Sequence, residues 1–341
     1  MSALSYRSSL KKIGVPAGAP QSYLAFASRP KSLRAAIRSM DHPASSDWSE
    51  PPNIYRDEDW TDEVQGIAWD GGHWIFSANA NQTKPGHNDK AIYVFPNHSN
   101  LKDGNWSQMI AYKNIPHPNV GVTVHESDDH WGQITYDNGH VYVAHFWDTD
   151  DPHFPRNARV LVLKDKGGSL SYSHWIELDK PTSPKPPHKT DRAEFQAINP
   201  WDGMLYTCFG GGEISEFFIH EPNGKWTKRV LPLTPSVTAV QGACFSPNGH
   251  LYIATNETPS GDDEHQMIYY YSALNGHRLG QIRVLADEGL PDQELEGICY
   301  APLVAPNGDK VWIHAILLEN INLALDNIFI KQWAGARPDV I

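Results

Sequence analysis

Cysteines and long apolar runs are scarce in this chain of 341 residues. The three cysteines, Cys208, Cys244 and Cys299, stand singly inside apolar segments without Cys-x-x-Cys spacing, so neither a disulfide framework nor a zinc knuckle is indicated. The most apolar segment, residues 311–325, is interrupted by charged and polar side chains and falls short of the roughly 18 residues that a membrane helix needs. We therefore expect a soluble protein whose cysteines belong to its core.

Several motifs of common enzyme classes are also missing. The sequence has no Gly-x-Ser-x-Gly nucleophile elbow, no phosphate-binding P-loop, no dinucleotide-binding fingerprint and no His-Glu-x-x-His zinc motif. These absences argue against a serine hydrolase of the elbow type, a nucleotide hydrolase and a zinc peptidase.

Acidic residues are absent from the first 40 positions, which carry seven of the 28 lysines and arginines, whereas the whole chain has 40 acidic residues and a net charge of −12. The rest of the chain is therefore strongly acidic. Phosphate binding depends on clustered cations, so we predict no nucleic-acid partner. A small-molecule ligand, a cation above all, suits this body better.

Residues 1–45 are predicted to form a basic N-terminal arm with a short helix. The arm is rich in serine, a composition shared by flexible arms and by organelle transit peptides. We expect a cytoplasmic monomer that does not bind membranes. Secretion is the alternative, because four Asn-x-Ser/Thr sequons are present, at Asn81, Asn97, Asn105 and Asn256.

One unit recurs five times in the remainder. Each copy has an alternating apolar strand, a turn that contains glycine and a second alternating strand. A third strand follows every copy, and a fourth strand follows the first four copies. The copies read EVQGIAWDGGHWIFSAN, HWGQITYDNGHVYVAHF, EFQAINPWDGMLYTCFG, AVQGACFSPNGHLYIATN and ELEGICYAPLVAPNGDKVWIHA.

This repeat predicts an all-β fold, a five-bladed β-propeller of four-stranded antiparallel blades over residues 46–341. The fifth copy lacks a fourth strand, but the segment DWSEPPNIYRDEDW before the first copy resembles the fourth-strand segment NWSQMIAYKNIP. An N-terminal outer strand on the last blade would close the ring and leave no open sheet edge. A helical bundle or α/β barrel is disfavoured because no long segment has helical periodicity.

The beginnings of the innermost strands carry the candidate site. We call this end of the ring the mouth. Residues two apart on a strand point the same way, so two layers of side chains should face the central channel. The mouth layer contains Glu63, His130, Glu194 and Glu294, and the layer below it contains Gln65, Gln196, Gln241 and Glu296.

Carboxylates gathered around one axis repel each other unless a cation compensates them. We therefore predict a divalent metal held by Glu63, His130, Glu194 and Glu296. Oxygen ligands favour Ca²⁺ or Mg²⁺, whereas the histidines His130 and His145 would favour Zn²⁺, Mn²⁺ or Fe²⁺. The alternative is that the Glu and Gln side chains bond free backbone amides at the strand ends and hold the ring together.

The favoured function is a metal-assisted hydrolase or lyase acting on a small molecule at the mouth. In this hypothesis His145 or Glu294 is the general base for a metal-bound water. A non-catalytic propeller that binds a small molecule or glycan, and a protein-interaction scaffold, are the alternatives. The predicted ligand contacts are Gln65, Gln196, Gln241, Asn256, Trp131 and Trp147.

The segments ELEGICYAP, VQGIAWDGGHWIFSAN and VQGACFSPNGHLYIAT resemble the strand signature of a propeller superfamily that includes SMP-30/gluconolactonase-like and phytase-like proteins. In gluconolactonase-like proteins, an axial Glu and Asn residues hold a divalent metal that activates water or polarises a carbonyl. The resemblance implies such a role for Glu296 and Asn256. The predicted number of blades departs from that family's.

Overall fold

The structure of the chain, a computed structural model, describes fourteen stretches of the sequence. They are residues 63–79, 90–96, 106–111, 114–116, 129–147, 158–181, 193, 195–209, 213–246, 249–257, 265–285, 293–304, 310–319 and 327–333.

The described residues form nineteen β-strands in five antiparallel sheets, and each sheet is built from strands that follow one another along the chain. The first sheet contains β1 (Val64–Trp69), β2 (His73–Ala78), β3 (Ala91–Pro96) and β4 (Gln108–Ala111). The second contains β5 (Asp129–Asp137), β6 (His140–Trp147), β7 (Arg159–Asp165) and β8 (Leu170–Glu177). The third contains β9 (Gln196–Ile198), β10 (Leu205–Thr207), β11 (Ile214–His220) and β12 (Trp226–Val237). The fourth contains β13 (Val240–Phe245), β14 (His250–Thr255), β15 (His265–Ser272) and β16 (Arg278–Leu285). The last contains β17 (Gln293–Val304), β18 (Lys310–Glu319) and β19 (Asn327–Trp333).

Packing between sheets makes the arrangement a closed ring. Five buried apolar clusters each join two sheets: first with second, second with third, third with fourth, fourth with last, and last with first. Ile67 and Ile316, for example, lie in the cluster that closes the ring between the first and last sheets. A ring of four-stranded sheets packed face to face is a β-propeller, so the predicted all-β propeller fold is confirmed.

Burial on both faces explains the composition of the third strands. A sheet inside the ring packs on a neighbour on either side, so its strands read as nearly continuous apolar runs rather than as alternating ones. In β3 every residue from Ala91 to Phe95 is buried. In β7 the first five residues, Arg159 to Leu163, are buried as well. The core is therefore distributed between the blades instead of being concentrated at one centre.

A tight turn connects the first two strands of the second sheet. Between β5 and β6, Asn138 and Gly139 have φ values of 45° and 77°, and Asp137 pairs directly with His140. Positive φ at both central residues is the geometry that an Asn-Gly hairpin supplies. This turn places Asp137 and the preceding strand end at the face of the ring opposite the mouth, which we call the base.

The expectation of five four-stranded blades needs correction. Four sheets have four strands, whereas the last has three within the described residues. The segment predicted to supply the missing outer strand, residues 46–60, lies outside the described residues, as does the N-terminal arm. Within the described residues, no helix is long and apolar enough to cross a membrane.

Candidate functional site

The innermost strands are irregular at the position where the sequence predicted inward-facing side chains. In β1 the pairing passes from Val64–Ala78 to Gly66–Ser77, which leaves Gln65 as an extra residue. In β13 it passes from Val240–Thr255 to Gly242–Ala254 and leaves Gln241 extra. Register shifts also occur in β5, between Trp131 and Ile134, and in β17, between Leu295 and Ile298. Such bulges re-aim side chains and increase local twist.

Gln133, from the bulge of β5, occupies the centre of the ring. Its amide nitrogen donates to the carbonyl oxygen of Ile298 at 2.5 Å and to that of Ile134 at 2.8 Å. Its amide oxygen accepts the backbone N–H of Ile298 at 3.0 Å. The side chain is completely buried. Gln133 therefore links the second sheet to the last by hydrogen bonds to both backbone groups of one residue.

Glycines of the fourth and last sheets make room for this side chain, and a glycine of the first sheet packs beside them. A Cβ atom added to Gly297 would lie 2.7 Å from the Gln133 amide oxygen, and one added to Gly242 would lie 3.1 Å from it. A Cβ added to Gly297 would also lie 2.7 Å from the Cα of Gly66. These are closer than ordinary contacts, so the axis is tightly packed at this level. The packed layer separates the mouth from the base.

The predicted second layer divides into buried and accessible members. Gln196 is fully buried, and its amide nitrogen donates to the carbonyl oxygen of Tyr142 at 2.8 Å. Glu296 is 2% exposed. Gln65 and Gln241 are half-buried. The contact of Gln196 with the second sheet matches the alternative in which these side chains bond backbone groups and hold the ring together.

Asparagines at the ends of two second strands brace neighbouring blades. The side chain of Asn79 accepts the N–H of Trp131 at 2.8 Å and donates to the carbonyl oxygen of Trp131 at 2.7 Å. Asn256, at the corresponding position of the fourth sheet, accepts the N–H of Leu295 at 2.6 Å. Asn256, predicted as a ligand contact, thus has its side-chain oxygen engaged by the backbone of the last sheet.

Three members of the predicted mouth layer lie at the start of the innermost strands of three neighbouring sheets, the last, the first and the second. Glu63, His130 and Glu294 precede or begin β1, β5 and β17, and all three are half-buried. The ring of His130 lies 4.8 Å from that of Phe146. Glu63 has a φ of 51°, which is uncommon for a residue with a side chain. Glu194, the fourth member, lies outside the described residues.

Two further predicted residues are enclosed. His145 is completely buried, with its ring 5.1 Å from that of Trp175 in an edge-on arrangement. Trp131 is also completely buried, in the cluster between the first and second sheets. Both side chains pack inside the protein instead of facing an open site. Trp147 ends β6, and its side chain is outside the described part.

The metal prediction can be compared with this geometry. Within the described residues, no three His, Cys, Asp or Glu side chains come together in a way that could hold a metal ion. Glu63, His130 and Glu296 therefore do not form a metal centre by themselves, and a centre at the mouth would need ligands such as Glu194.

Sequence reasoning missed Asn79, and it gave Gln133 only as the alternative to Gly132 in the inner layer of the second blade. The second repeat reads Gly132-Gln133 where the first and fourth read Gln-Gly, and this inversion is the signal that could have identified the axial glutamine. Asn79 could have been found by aligning it with Asn256, since each follows the last residue of its second strand.

Comparison with known proteins supports the fold alone. No family model matches the chain, and no curated protein matches it. An exo-β-1,3-galactanase from Clostridium thermocellum is similar in structure, with a TM-score of 0.50 and 11% identity over 79% of this chain and 58% of that one. A bifunctional GH43-CE protein from Bacteroides eggerthii has a TM-score of 0.49 and 17% identity over 87% of this chain and 36% of that one. A GH43 endo-arabinanase from Bacillus licheniformis has a TM-score of 0.46 and 14% identity over 83% of this chain and 95% of that one.

The chain therefore spans less than two thirds of the first two structures. At such low identity the likeness shows a shared β-propeller fold and no shared activity. The resemblance to SMP-30/gluconolactonase-like and phytase-like proteins is not supported by these comparisons, and no family is identified.

Proposed function

We propose that this protein is a hydrolase that cleaves a glycosidic bond at the mouth of the propeller. The observation that carries the proposal is a pair of carboxyl groups in different surroundings on one innermost strand: Glu294 is half-buried and Glu296 is 2% exposed. Glycoside hydrolysis uses two carboxyl groups, one as acid and one as base or nucleophile. The fold shared with an enzyme described as an exo-β-1,3-galactanase is the reason for choosing carbohydrates as the substrate class.

We assign an inverting reaction, in which the acid and the base are separate carboxyl groups. In inverting glycosidases these groups are roughly 6.5 to 9.5 Å apart, and the bulge of β17 between Leu295 and Ile298 sets where Glu296 points relative to Glu294. Glu296, shielded from water, would protonate the leaving oxygen as the bond from the anomeric carbon breaks. Glu294, open to solvent, would take a proton from the water that forms the new bond. We assign the base to Glu294 rather than His145 because His145 is completely buried.

The neighbouring strands supply the remaining polar groups. A Cβ added to Gly297 would contact Gly66, so β17 and β1 approach each other where Glu296 and Gln65 lie. In the proposal, Glu63, Gln65 and His130 orient the sugar ring from the first two sheets. We propose separately that a divalent cation binds at the mouth, and elemental analysis of the purified protein with and without chelator tests this.

Hydrolysis of a panel of chromogenic aryl glycosides, both pyranosides and furanosides, tests this function. We expect one member to be cleaved, and we expect Glu296→Gln and Glu294→Gln each to lower kcat/KM by about 10²-fold or more. Glu221→Gln, which removes a carboxylate from the turn between β11 and β12, is the matched control and should retain activity. Absence of cleavage across the panel, or full activity in both mouth variants, would overturn the proposal.

A binding propeller without catalysis is the second candidate. It is favoured by the number of inward polar side chains that are already engaged with backbone groups, such as Gln133, Gln196 and Asn256. Saturable binding of an uncleaved oligosaccharide, lost in Glu63→Gln, would support this candidate over the hydrolase.

A further inference from the structure

A cavity lies on the axis at the base, on the far side of the Gln133 layer from the mouth. Its volume is about 150 Å³, and every sheet contributes to its wall. The lining comes from the ends of the innermost strands and the residues that follow them. It includes Trp69, Tyr136 and Asp137, Pro200, Phe245 and Tyr300. An engineered cavity of similar size binds benzene, so this one suits a compact molecule of a few heavy atoms.

The wall is rich in aromatic rings whose positions are fixed. The ring of Tyr300 stacks on that of Trp312 at 5.9 Å with an interplanar angle of 17°. The ring of Phe245 lies 4.9 Å from that of Tyr206. Because these rings are already held in place by neighbouring rings, they lose little conformational entropy when a ligand binds.

Asp137 supplies the negative charge of the lining. Its side chain is half-buried, and the described residues offer its carboxylate no hydrogen-bond donor. Burial raises the pKa of this carboxyl group, and only the charge of His140 opposes the shift. The thiols of Cys244 and Cys299 also line the cavity, and burial raises the pKa of both, so they are neutral at physiological pH.

Two further carboxylates, those of Asp70 and Asp165, lie near Tyr136 and outside the cavity lining. Burial raises the pKa of Tyr136, and the charges of Asp165, Asp70 and Asp137 raise it further. Three acidic groups therefore lie close enough to Tyr136 to act on its hydroxyl group. They favour a positive charge near this part of the wall, with Asp70 already paired to His73 at 2.9 Å.

We propose that the base cavity binds a small organic cation of the size of a quaternary ammonium, with the positive charge against Asp137 and the alkyl groups against the aromatic rings. Aromatic faces attract such cations while accommodating their apolar surface, and the cation would give the Asp137 carboxylate a partner. This site is separate from the glycosidic site proposed at the mouth, because the packed Gln133 layer lies between them.

Thermal unfolding of the full-length protein with tetramethylammonium or choline as the probe tests the proposal. A ligand that binds only the folded state raises the Tm in a concentration-dependent way. The control is 3,3-dimethyl-1-butanol, the neutral carbon isostere of choline, with ionic strength matched by NaCl. We expect both cations to raise the Tm and the neutral isostere to have at most a small effect.

Variants locate the site. Asp137→Asn should weaken choline binding by about tenfold or more, measured by calorimetric titration. Tyr300→Leu, which removes one ring, should also weaken it, and this variant serves if Asp137→Asn fails to fold. Glu221→Gln makes the same charge change outside the cavity and should bind as the wild type does. Equal stabilisation by choline and its neutral isostere, no stabilisation by either, or wild-type affinity in a folded Asp137→Asn or Tyr300→Leu protein would overturn the proposal.

Discussion

Single asparagine side chains connect one blade to the next in this propeller. Asn79 uses both its amide oxygen and its amide nitrogen on the backbone of Trp131. Among the described residues, Asn256 bonds only through its amide oxygen, to the N–H of Leu295. The two positions correspond in the repeat, but the contact at Asn79 needs a donor and an acceptor, whereas the contact at Asn256 needs an acceptor.

This difference predicts different responses to aspartate. Asn79→Asp should lower the free energy of unfolding by about 1 to 3 kcal/mol, because it leaves a buried carbonyl without a donor and sets a carboxylate against it. Asn256→Asp keeps the acceptor for Leu295 and should cost less than about 1 kcal/mol. Urea unfolding of both variants measures the difference. Equal losses would show that Asn79 does not depend on its donor.

Turns between strands are constrained by the neighbouring blade as well as by their own backbone. Gly203 and Gly276 have nearly equal φ values, 69° and 68°. A Cβ on Gly203 would meet nothing within 4 Å, whereas one on Gly276 would lie 1.5 Å from the carbonyl oxygen of Pro232 in the third sheet. The turn between β15 and β16 is therefore pressed against the preceding blade.

Substituting alanine for each of these two glycines distinguishes the free-energy cost of a positive φ from the cost of a steric overlap with the neighbouring sheet. Gly203→Ala should cost about 1 to 2 kcal/mol, the usual penalty for positive φ with a side chain. Gly276→Ala should cost at least about 2 kcal/mol more, since the backbone of Pro232 has to move. Thermal and urea unfolding give both values. A similar loss in the two variants would contradict the close packing of the third and fourth sheets.

Across the whole molecule, buried histidines make the propeller sensitive to acid. Burial lowers the pKa of His250 to about 3 and that of His314 to about 4, and a hydrogen bond to the carbonyl of Ala301 partly opposes the shift of His314. Both values lie below the ordinary value of 6.5. The neutral form is thus preferred in the folded state, and the stability this provides is intact above pH 6.5 and is lost as the pH falls toward the folded pKa values.

We therefore expect the free energy of unfolding to decline between about pH 6.5 and pH 4, by up to about 1.4 kcal/mol per pH unit for each such histidine. His250→Phe, which keeps an aromatic ring between Tyr252 and Tyr270, should flatten the decline. His277→Phe, at an exposed histidine, should leave the slope unchanged. Urea unfolding over this pH range measures the slopes, and an unaltered slope in His250→Phe would contradict the burial of a neutral imidazole.

The candidate site contains features that the local sequence pattern does not predict. Alternation along the chain predicts that Gln196 and Glu296 face inward, and both side chains are buried, but side chains that point inward on five strands meet at distances set by the radius of the ring. That radius depends on packing between blades, for example on the close approach of Gly66 and Gly297. The sequence predicts a ligand contact at Trp131 and a general base at His145, whereas both side chains are completely buried.

By itself, the sequence determined the strands, their grouping into repeats and the cyclic order of the sheets, because strand periodicity and turn chemistry act over a few neighbouring residues. Only the tertiary structure decided that Gln133 closes the axis, that Asn256 braces a neighbouring blade and that a cavity forms at the base. These features depend on contacts between different blades, which join residues 39 positions apart at Asn256 and 165 positions apart at Gln133, and such distances are fixed by packing rather than by local pattern.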